Sequence, residues 1–299
     1  VLDQVREPSS LQDQRSPYRR RRRPEERVEV LGGMMDLVKS AEVFHFTRGM
    51  IAAGRKAIVA NHNLHSLYLI KRDADLRAFF NKADLVEVDS IPLILWARLV
   101  GRPSRRFHRC TYLDWRDEFW ALAERHSWRV FVVGGEPGVG EAATRRIHRE
   151  WPGVQLATHH GFFDVSPGSE ENAAVVDTIK RYAPDVLLVG MGMPRQERWV
   201  MRNYRDLPAC VIFTVGGAMD YEAGVQTPSP RWIGQVGLEW LFRMATNPGL
   251  FRRYLIEPWS LLAPAAADVA RRVLKTKATE SRELENDARD RTAFPPTAL

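Results

Sequence analysis

PDVLLVGMGMPRQERWV (184–200) reads as a buried strand, a glycine turn and a helix in immediate succession. DVLLVG (185–190) is an almost unbroken apolar run of strand length, as a parallel strand covered on both faces requires. Gly190 and Gly192 let the backbone turn sharply, Pro194 blocks further strand, and a helical pattern occupies 195–205.

Outward from this stretch the same unit recurs. VEVL (28–31), KAIVA (56–60), DLVEVD (84–89), RVFVVG (129–134), VQLAT (154–158) and CVIFTVG (210–216) read as strands, with helical patterns at 36–52, 66–81, 91–99, 116–126, 138–150 and 170–182. Such alternation predicts an α/β fold, a mostly parallel sheet flanked by helices. The C-terminal part differs. Ile233, Val236, Trp240, Leu241 and Met244 recur near helical spacing, and after Asn247-Pro248-Gly249 large apolar residues mix with arginines. That segment suits a bilayer surface, its own domain or a sister subunit, which leaves a homo-oligomer open. The expected organisation is a disordered basic arm at 1–27, an α/β domain at 28–245, a helical appendage at 246–275 and a disordered tail at 276–299.

Of the 299 residues 44% are hydrophobic and 27% charged, with a formal charge of +7. Residues 1–27 hold 8 Arg against 5 acidic residues, and 243–275 hold 6 basic against 2 acidic. Positive charge at both ends points to polyanionic partners such as phosphates or anionic lipid. Nucleic acid is not expected, because no stripe of aromatics interleaves with basic residues. Cys110 and Cys210 offer neither a disulfide framework nor a zinc cluster. No uninterrupted apolar run of about 18 residues exists to span a bilayer. A reducing, cytoplasmic location is the expectation.

Three strands end in glycine-rich turns, GGEPGVGEAA (134–143), GMGMPRQE (190–197) and GGAMDYEAG (216–224). At the carboxyl ends of one sheet they would line a single crevice, where backbone N–H groups and helix starts favour phosphate. Gly134, Gly135, Gly190, Gly192, Gly216 and Gly217 are the candidates for that contact, although each also suits a plain tight turn. The glycine spacing misses the dinucleotide fingerprint, and a P-loop lysine is absent. An NAD- or nucleotide-dependent enzyme and a non-catalytic polyanion-binding protein remain as alternatives. Asp89, at the end of DLVEVD, suits a general base or an N-cap for the helix at 91–99. Asp220 suits a sugar or ribose hydroxyl, or a turn. Asp73-Ala74-Asp75 has the form of a metal-binding DxD, but beside Lys71, Arg72 and Arg77 it reads as an ion-paired helix face. His159-His160 has no partner at metal spacing nearby.

ADLVEVDS (83–90), FVVGGEPGVGEAA (131–143), PDVLLVGMGMPRQERWV (184–200), FTVGGAMDYEAG (213–224) and GLEWLFRMATNPGLFRRYL (237–255), in that order, resemble the WecG/TagA/CpsF family, glycosyltransferase family 26. The resemblance implies a Rossmann-like fold with a membrane-proximal C-terminal helical appendage. It also implies inverting, metal-independent transfer from a UDP-sugar to a polyprenyl-diphosphate-linked saccharide at the inner face of the plasma membrane, with no cofactor. Asp89 falls on the proposed general base, and Asn63, with Asn61 in place of a threonine, on a TxNxE pattern. Gln196 and Glu197 match the GMGxPxQE turn, Asp220 the GGxxD segment, and Arg243 and Arg253 the appendage arginines that meet diphosphate. Ser90 replaces a glycine, Leu250 stands where a further arginine is frequent, and Cys110-Thr111-Tyr112-Leu113-Asp114 is a loose form of VTGxD.

Overall fold

A computed structural model describes residues 27–227, 233, 239–246 and 248–293. The basic arm expected before residue 27 lies outside the described residues. The described chain opens with an antiparallel hairpin, β1 (Arg27–Val30) and β2 (Gly33–Asp36), joined through Leu31 and Gly32, both at positive φ. VEVL therefore belongs to a separate two-stranded sheet, and the helix expected from residue 36 begins only as α1 (Ser40–Ala52). Apolar residues followed by a two-residue positive-φ turn make a hairpin signal that helical periodicity in MMDLV obscures.

The main sheet is built from β3 (Ala57–His62), β4 (Leu85–Val88), β5 (Arg129–Gly134), β6 (Gln155–His159), β7 (Val186–Gly190) and β8 (Val211–Thr214). All its pairings are parallel, in the spatial order β4-β3-β8-β7-β5-β6. Helices between strands are α2 (Leu64–Ile70), α3 (Ala74–Lys82), α4 (Ile91–Leu99), α5 (Tyr112–Arg125), α6 (Val139–Glu150), α7 (Glu170–Tyr182) and α8 (Arg195–Asn203), and α9 (Ala218–Ala223) follows β8. The single helix expected over 66–81 is two, because Asp73 accepts hydrogen bonds from the N–H groups of Asp75 and Leu76 and starts a new helix there.

Side-chain alternation divides the core into two layers. Ile58, Phe131, Leu187 and Ile212 face α2, α3, α4, α7 and α8, while Val59, Val130, Leu188 and Phe213 face α1, α5, α6 and α9. With both faces of the sheet covered, most strand positions are apolar, which is why their runs were readable as strands. β5 connects outward to β6 whereas β7 connects the other way to β8, so the chain reverses its winding between neighbours β5 and β7. A crevice opens at the carboxyl ends of such a pair.

Beyond the sheet come α10 (Glu239–Thr246), tight 3-10 turns over Pro248–Leu250 and Glu257–Leu261 with a wider π-helical turn at Arg252–Ile256 between them, and α11 (Leu262–Ala293). α11 runs without a break through residue 275, where the appendage was expected to end, and through most of the expected tail. It is anchored by Asp268, 3% exposed, which accepts from Leu31 N at 2.8 Å, Trp96 Nε1 at 3.1 Å and Arg271 Nη2 at 2.6 Å. No helix among the described residues is long and apolar enough to cross a membrane.

Candidate active site

Gly134 and Gly190 close the neighbouring strands β5 and β7 and leave no room for a side chain, and Gly216 follows β8 beside them. A Cβ on Gly134 would strike the Gly190 carbonyl, and one on Gly190 would lie 2.5 Å from the Gly216 carbonyl oxygen. Gly135 and Gly192 then turn away at φ +72° and +75°, a region that L side chains rarely adopt. The result is a cavity of about 460 Å³ whose walls include Gly135, Gly190, Gly192, Gly217, Glu136 and Asp220. Val139 and Arg195, the first residues of α6 and α8, also line it, so two helix N-termini border the space and favour negative charge there.

Two carboxyl groups and one guanidinium give the cavity its polarity. Burial, and then Glu136 across the space, push the Asp220 carboxyl above its ordinary range. Arg195 Nη2 donates to the carbonyls of Gly161 at 3.0 Å and Phe163 at 2.6 Å, tying the loop after β6 to the start of α8. Neither Arg195 nor Glu136 had been singled out from sequence; Arg195 sits inside the GMGMPRQE turn but resembles any helix-start arginine. Gln196 and Glu197 lie beneath the crevice, 4% and 0% exposed, and not on its wall. Gln196 Oε1 accepts from Gly216 N at 3.1 Å and its Nε2 donates to Glu197 Oε1 at 2.7 Å, so the pair braces the β7 and β8 turns against each other. Desolvation raises the Glu197 carboxyl to about 7.

A second group of candidates gathers at the ends of β3 and β4. Asn61 and Glu87 are paired in register, and Asp89 follows β4 with its N–H donating to His62 O at 2.8 Å. Asn61 Nδ2 donates to Cys110 O at 3.2 Å, and Asn63 caps α2 by accepting from Ser66 N at 3.0 Å. Glu87, which the sequence had not marked, is 3% exposed; burial and then the nearby Asp89 raise its carboxyl to about 8. His62 is fully enclosed, stacked on Phe80 at 3.9 Å, and burial lowers it to about 3. Asp89 itself is half-buried and shares the carboxyl rim of the sheet with the glycine turns, but it does not line their cavity. Two strand spacings separate β4 from β8, roughly 10 Å at about 4.8 Å each.

The appendage meets this second group. His65 Nδ1 lies 2.5 Å from Glu257 Oε2, and Lys71 Nζ donates to Ser260 O at 2.9 Å. Burial, and next Arg253, push the His65 imidazole down while Glu257 pulls it up. Arg253 is half-buried with its guanidinium 5.8 Å from the Tyr254 ring. Arg243 lies on α10, and its side chain falls outside the described residues. Asp73 pairs with Arg198 Nη2 at 2.5 Å while capping α3, which accounts for the DxD-like spacing. His159 Nδ1 bonds to His160 O at 2.8 Å.

The structure thus assembles two clusters on one rim. Gly135, Gly190, Gly192, Gly217 and Asp220 line the crevice, with Gly134 and Gly216 in the adjoining backbone, and Asn61, Asn63 and Asp89 stand beside it with Arg253 on the adjoining appendage. The model of the Glycosyl transferase WecG/TagA/CpsF family matches residues 28–275. Proteins from Staphylococcus aureus strains MRSA252 and COL, each named N-acetylglucosaminyldiphosphoundecaprenol N-acetyl-beta-D-mannosaminyltransferase, are 26% identical over 227 residues, 73% of this chain and 84% of theirs.

Proposed function

The chain belongs to the WecG/TagA/CpsF glycosyltransferase family, and on that premise we propose that it moves a sugar, with inversion and without a metal, from a UDP-sugar to a polyprenyl-diphosphate-linked saccharide. One observation carries the reading: the phosphate-favouring crevice between β5 and β7 and the carboxylate of Asp89 lie on the same rim, with only β8 and β3 between them. In this reading the nucleotide occupies the crevice and its sugar extends toward β4, across three strand spacings, roughly 14 Å from β7.

The chemistry follows from the two clusters. The acceptor hydroxyl attacks the anomeric carbon, its proton passes to Asp89, and the bond from that carbon to the diphosphate oxygen breaks, releasing UDP. General-base help of this kind contributes about 10²–10⁴-fold. Negative charge that gathers on the departing diphosphate is met by the N-termini of α6 and α8, by backbone N–H groups at Gly192 and Gly217, and by Arg243 and Arg253 of the appendage. The N–H of Gly216 is already taken by Gln196. Asp220 and Glu136 suit hydroxyls of the ribose or the donor sugar, since a hydroxyl donates to a carboxylate where a phosphate is repelled.

On this proposal the lipid-linked acceptor makes the protein a peripheral enzyme of cell-envelope polysaccharide synthesis, working at the cytoplasmic face of the membrane. Phe251, Leu255, Ile256, Trp259 and Leu262 are exposed around Arg252 and Arg253, a mixture suited to an anionic bilayer surface. By the names of the relatives, N-acetylglucosaminyl-diphosphoundecaprenol and N-acetylmannosamine are the acceptor and sugar to try first. The test is transfer from a panel of UDP-sugars to a short-chain lipid-diphosphate saccharide, with chelator present. Product from at least one UDP-sugar is expected; thermal stabilisation by NAD but not by UDP, with no transfer, would return the chain to the dehydrogenase-like alternative.

A further inference from the structure

A second cavity lies away from the glycine turns, where α11 passes the end of α4. It holds about 250 Å³, and its walls include Gly101, Arg102, Asp268, Arg271 and Arg272. α4 starts two residues after Asp89 and runs for nine, so its far end is about 13 Å along the helix axis from the rim that carries the candidate active site. Three guanidinium groups meet there, and the described residues neutralise only one. Arg271 Nη1 donates to Glu29 Oε1 at 2.9 Å and its Nη2 to Asp268 Oδ1 at 2.6 Å. Asp268 Oδ2 is already used, since it accepts from Leu31 N and Trp96 Nε1. Arg102 has a single bond, from Nη2 to Glu29 O at 3.3 Å, and the Arg272 guanidinium has no hydrogen bond or ion pair among the described residues. The Nε atoms of Arg102 and Arg271 are buried with no hydrogen-bond partner among the described residues, an arrangement that native structures seldom leave unanswered. Nor does the end of α4 supply acceptors, because the carbonyls of Trp96, Ala97 and Arg98 are taken by the N–H groups of Val100, Arg102 and Gly101. Gly101, at φ +81°, admits Arg272 closely: a Cβ there would lie 3.8 Å from Arg272 Nε.

The partner that this cluster lacks is an anion. Guanidinium forks reaching one space from two segments suit a tetrahedral oxyanion, with an oxygen for each, better than a planar carboxylate. The cavity is smaller than the roughly 300–1,000 Å³ that encloses a drug-sized ligand, so it fits a phosphate group and not a whole nucleotide. Independently of the donor reading above, we propose that Arg102, Arg271 and Arg272 form a second anion site that takes a phosphate group, free or carried by a lipid head group. The bound phosphate pins α11 to the end of α4. Because α11 continues directly from the turn whose Glu257 meets His65, that pin holds the appendage against the cluster of Asn63 and Asp89.

The experiment titrates inorganic phosphate calorimetrically into the full chain at fixed ionic strength and measures co-sedimentation with phosphatidylglycerol vesicles. It compares wild type with Arg102→Gln, Arg272→Gln and Arg48→Gln, the last removing the same charge from an exposed position on α1. Both cavity variants should bind phosphate at least about 10-fold more weakly, the loss expected for one charge-assisted hydrogen bond, while Arg48→Gln stays at the wild-type value. Unfolding midpoints without phosphate should match wild type, since Arg272 is exposed and Arg102 makes only one bond, to a carbonyl. Vesicle binding that also falls in the two cavity variants alone identifies a lipid head group as the source of the phosphate; vesicle binding equal in all four proteins identifies a free phosphate. Phosphate that enters the glycine crevice binds all four alike. The assignment is overturned if neither readout separates the cavity variants from Arg48→Gln, or if their weaker binding is matched by a fall in the unfolding midpoint without phosphate.

Discussion

The two halves of the carboxyl rim are built by opposite means. Around β5, β7 and β8 the backbone makes the site: strand ends approach so closely that Gly134 and Gly190 admit no Cβ, and Gln196 ties one turn to the next. Around β3 and β4 side chains make it: Asn61, Glu87 and Asp89 crowd together, and the appendage reaches them through Glu257 and His65, 192 residues apart in sequence. A backbone site is rigid and suits the constant part of a substrate, whereas a side-chain site completed by a distant segment can vary with the acceptor.

Gly190→Val should break the first half most severely. The new side chain meets the carbonyl of Gly216, which the Gln196 hydrogen bond holds in the turn after β8, so a cost toward the upper end of about 1–3 kcal/mol is expected. Denaturant unfolding should show that loss, and UDP titration should show binding gone in whatever remains folded. Asp268→Ala probes the second half. It strips the hydrogen-bond acceptor from Leu31 N, Trp96 Nε1 and Arg271 at once, a loss of about 1.5–3 kcal/mol for a charged partner. Limited proteolysis should then cut α11 sooner, with lipid-acceptor activity falling while UDP affinity stays constant.

A pH-dependent effect also separates the halves. Glu87 and Glu197 keep their protons in the folded chain up to about 8 and about 7, whereas the unfolded chain releases them near the ordinary glutamate value of 4.5. Their contribution to stability is therefore complete below the unfolded value and declines as pH rises toward the folded ones, by at most about 1.4 kcal/mol per pH unit per group. Glu197→Gln should flatten the decline up to about 7, and Glu87→Gln up to about 8. Melting curves between pH 5 and 8 in which both variants track the wild type would contradict the assigned protonation.

Much of the first half was legible in the sequence because its signal is local. Glycines at strand ends, Pro194 and the helix that follows lie within a dozen residues, and the strands on either side are unbroken apolar runs. The β1–β2 hairpin was not legible as such, since its turn uses Leu31 at positive φ and four-residue strands carry little periodicity. Arg195 and Glu136 passed unnoticed because their importance lies in facing one cavity from different strands. Glu87 was hidden by its neighbours: in DLVEVD it reads as an ordinary outward strand residue, and only the α1 and α5 layer over β4 encloses it. Nor could periodicity place α11, whose own buried carboxylate, Asp268, ties it to the N–H of Leu31 in the far-off hairpin.

The account as a whole turns on a division of labour in which the crevice holds the nucleotide and Asp89 takes the proton. Asp89→Asn, assayed twice on the same preparation, tests that directly. Calorimetric UDP affinity should equal wild type, while the turnover rate with a lipid-diphosphate saccharide acceptor should fall by about 10²–10⁴-fold. Normal turnover, or loss of UDP binding in step with turnover, would contradict it.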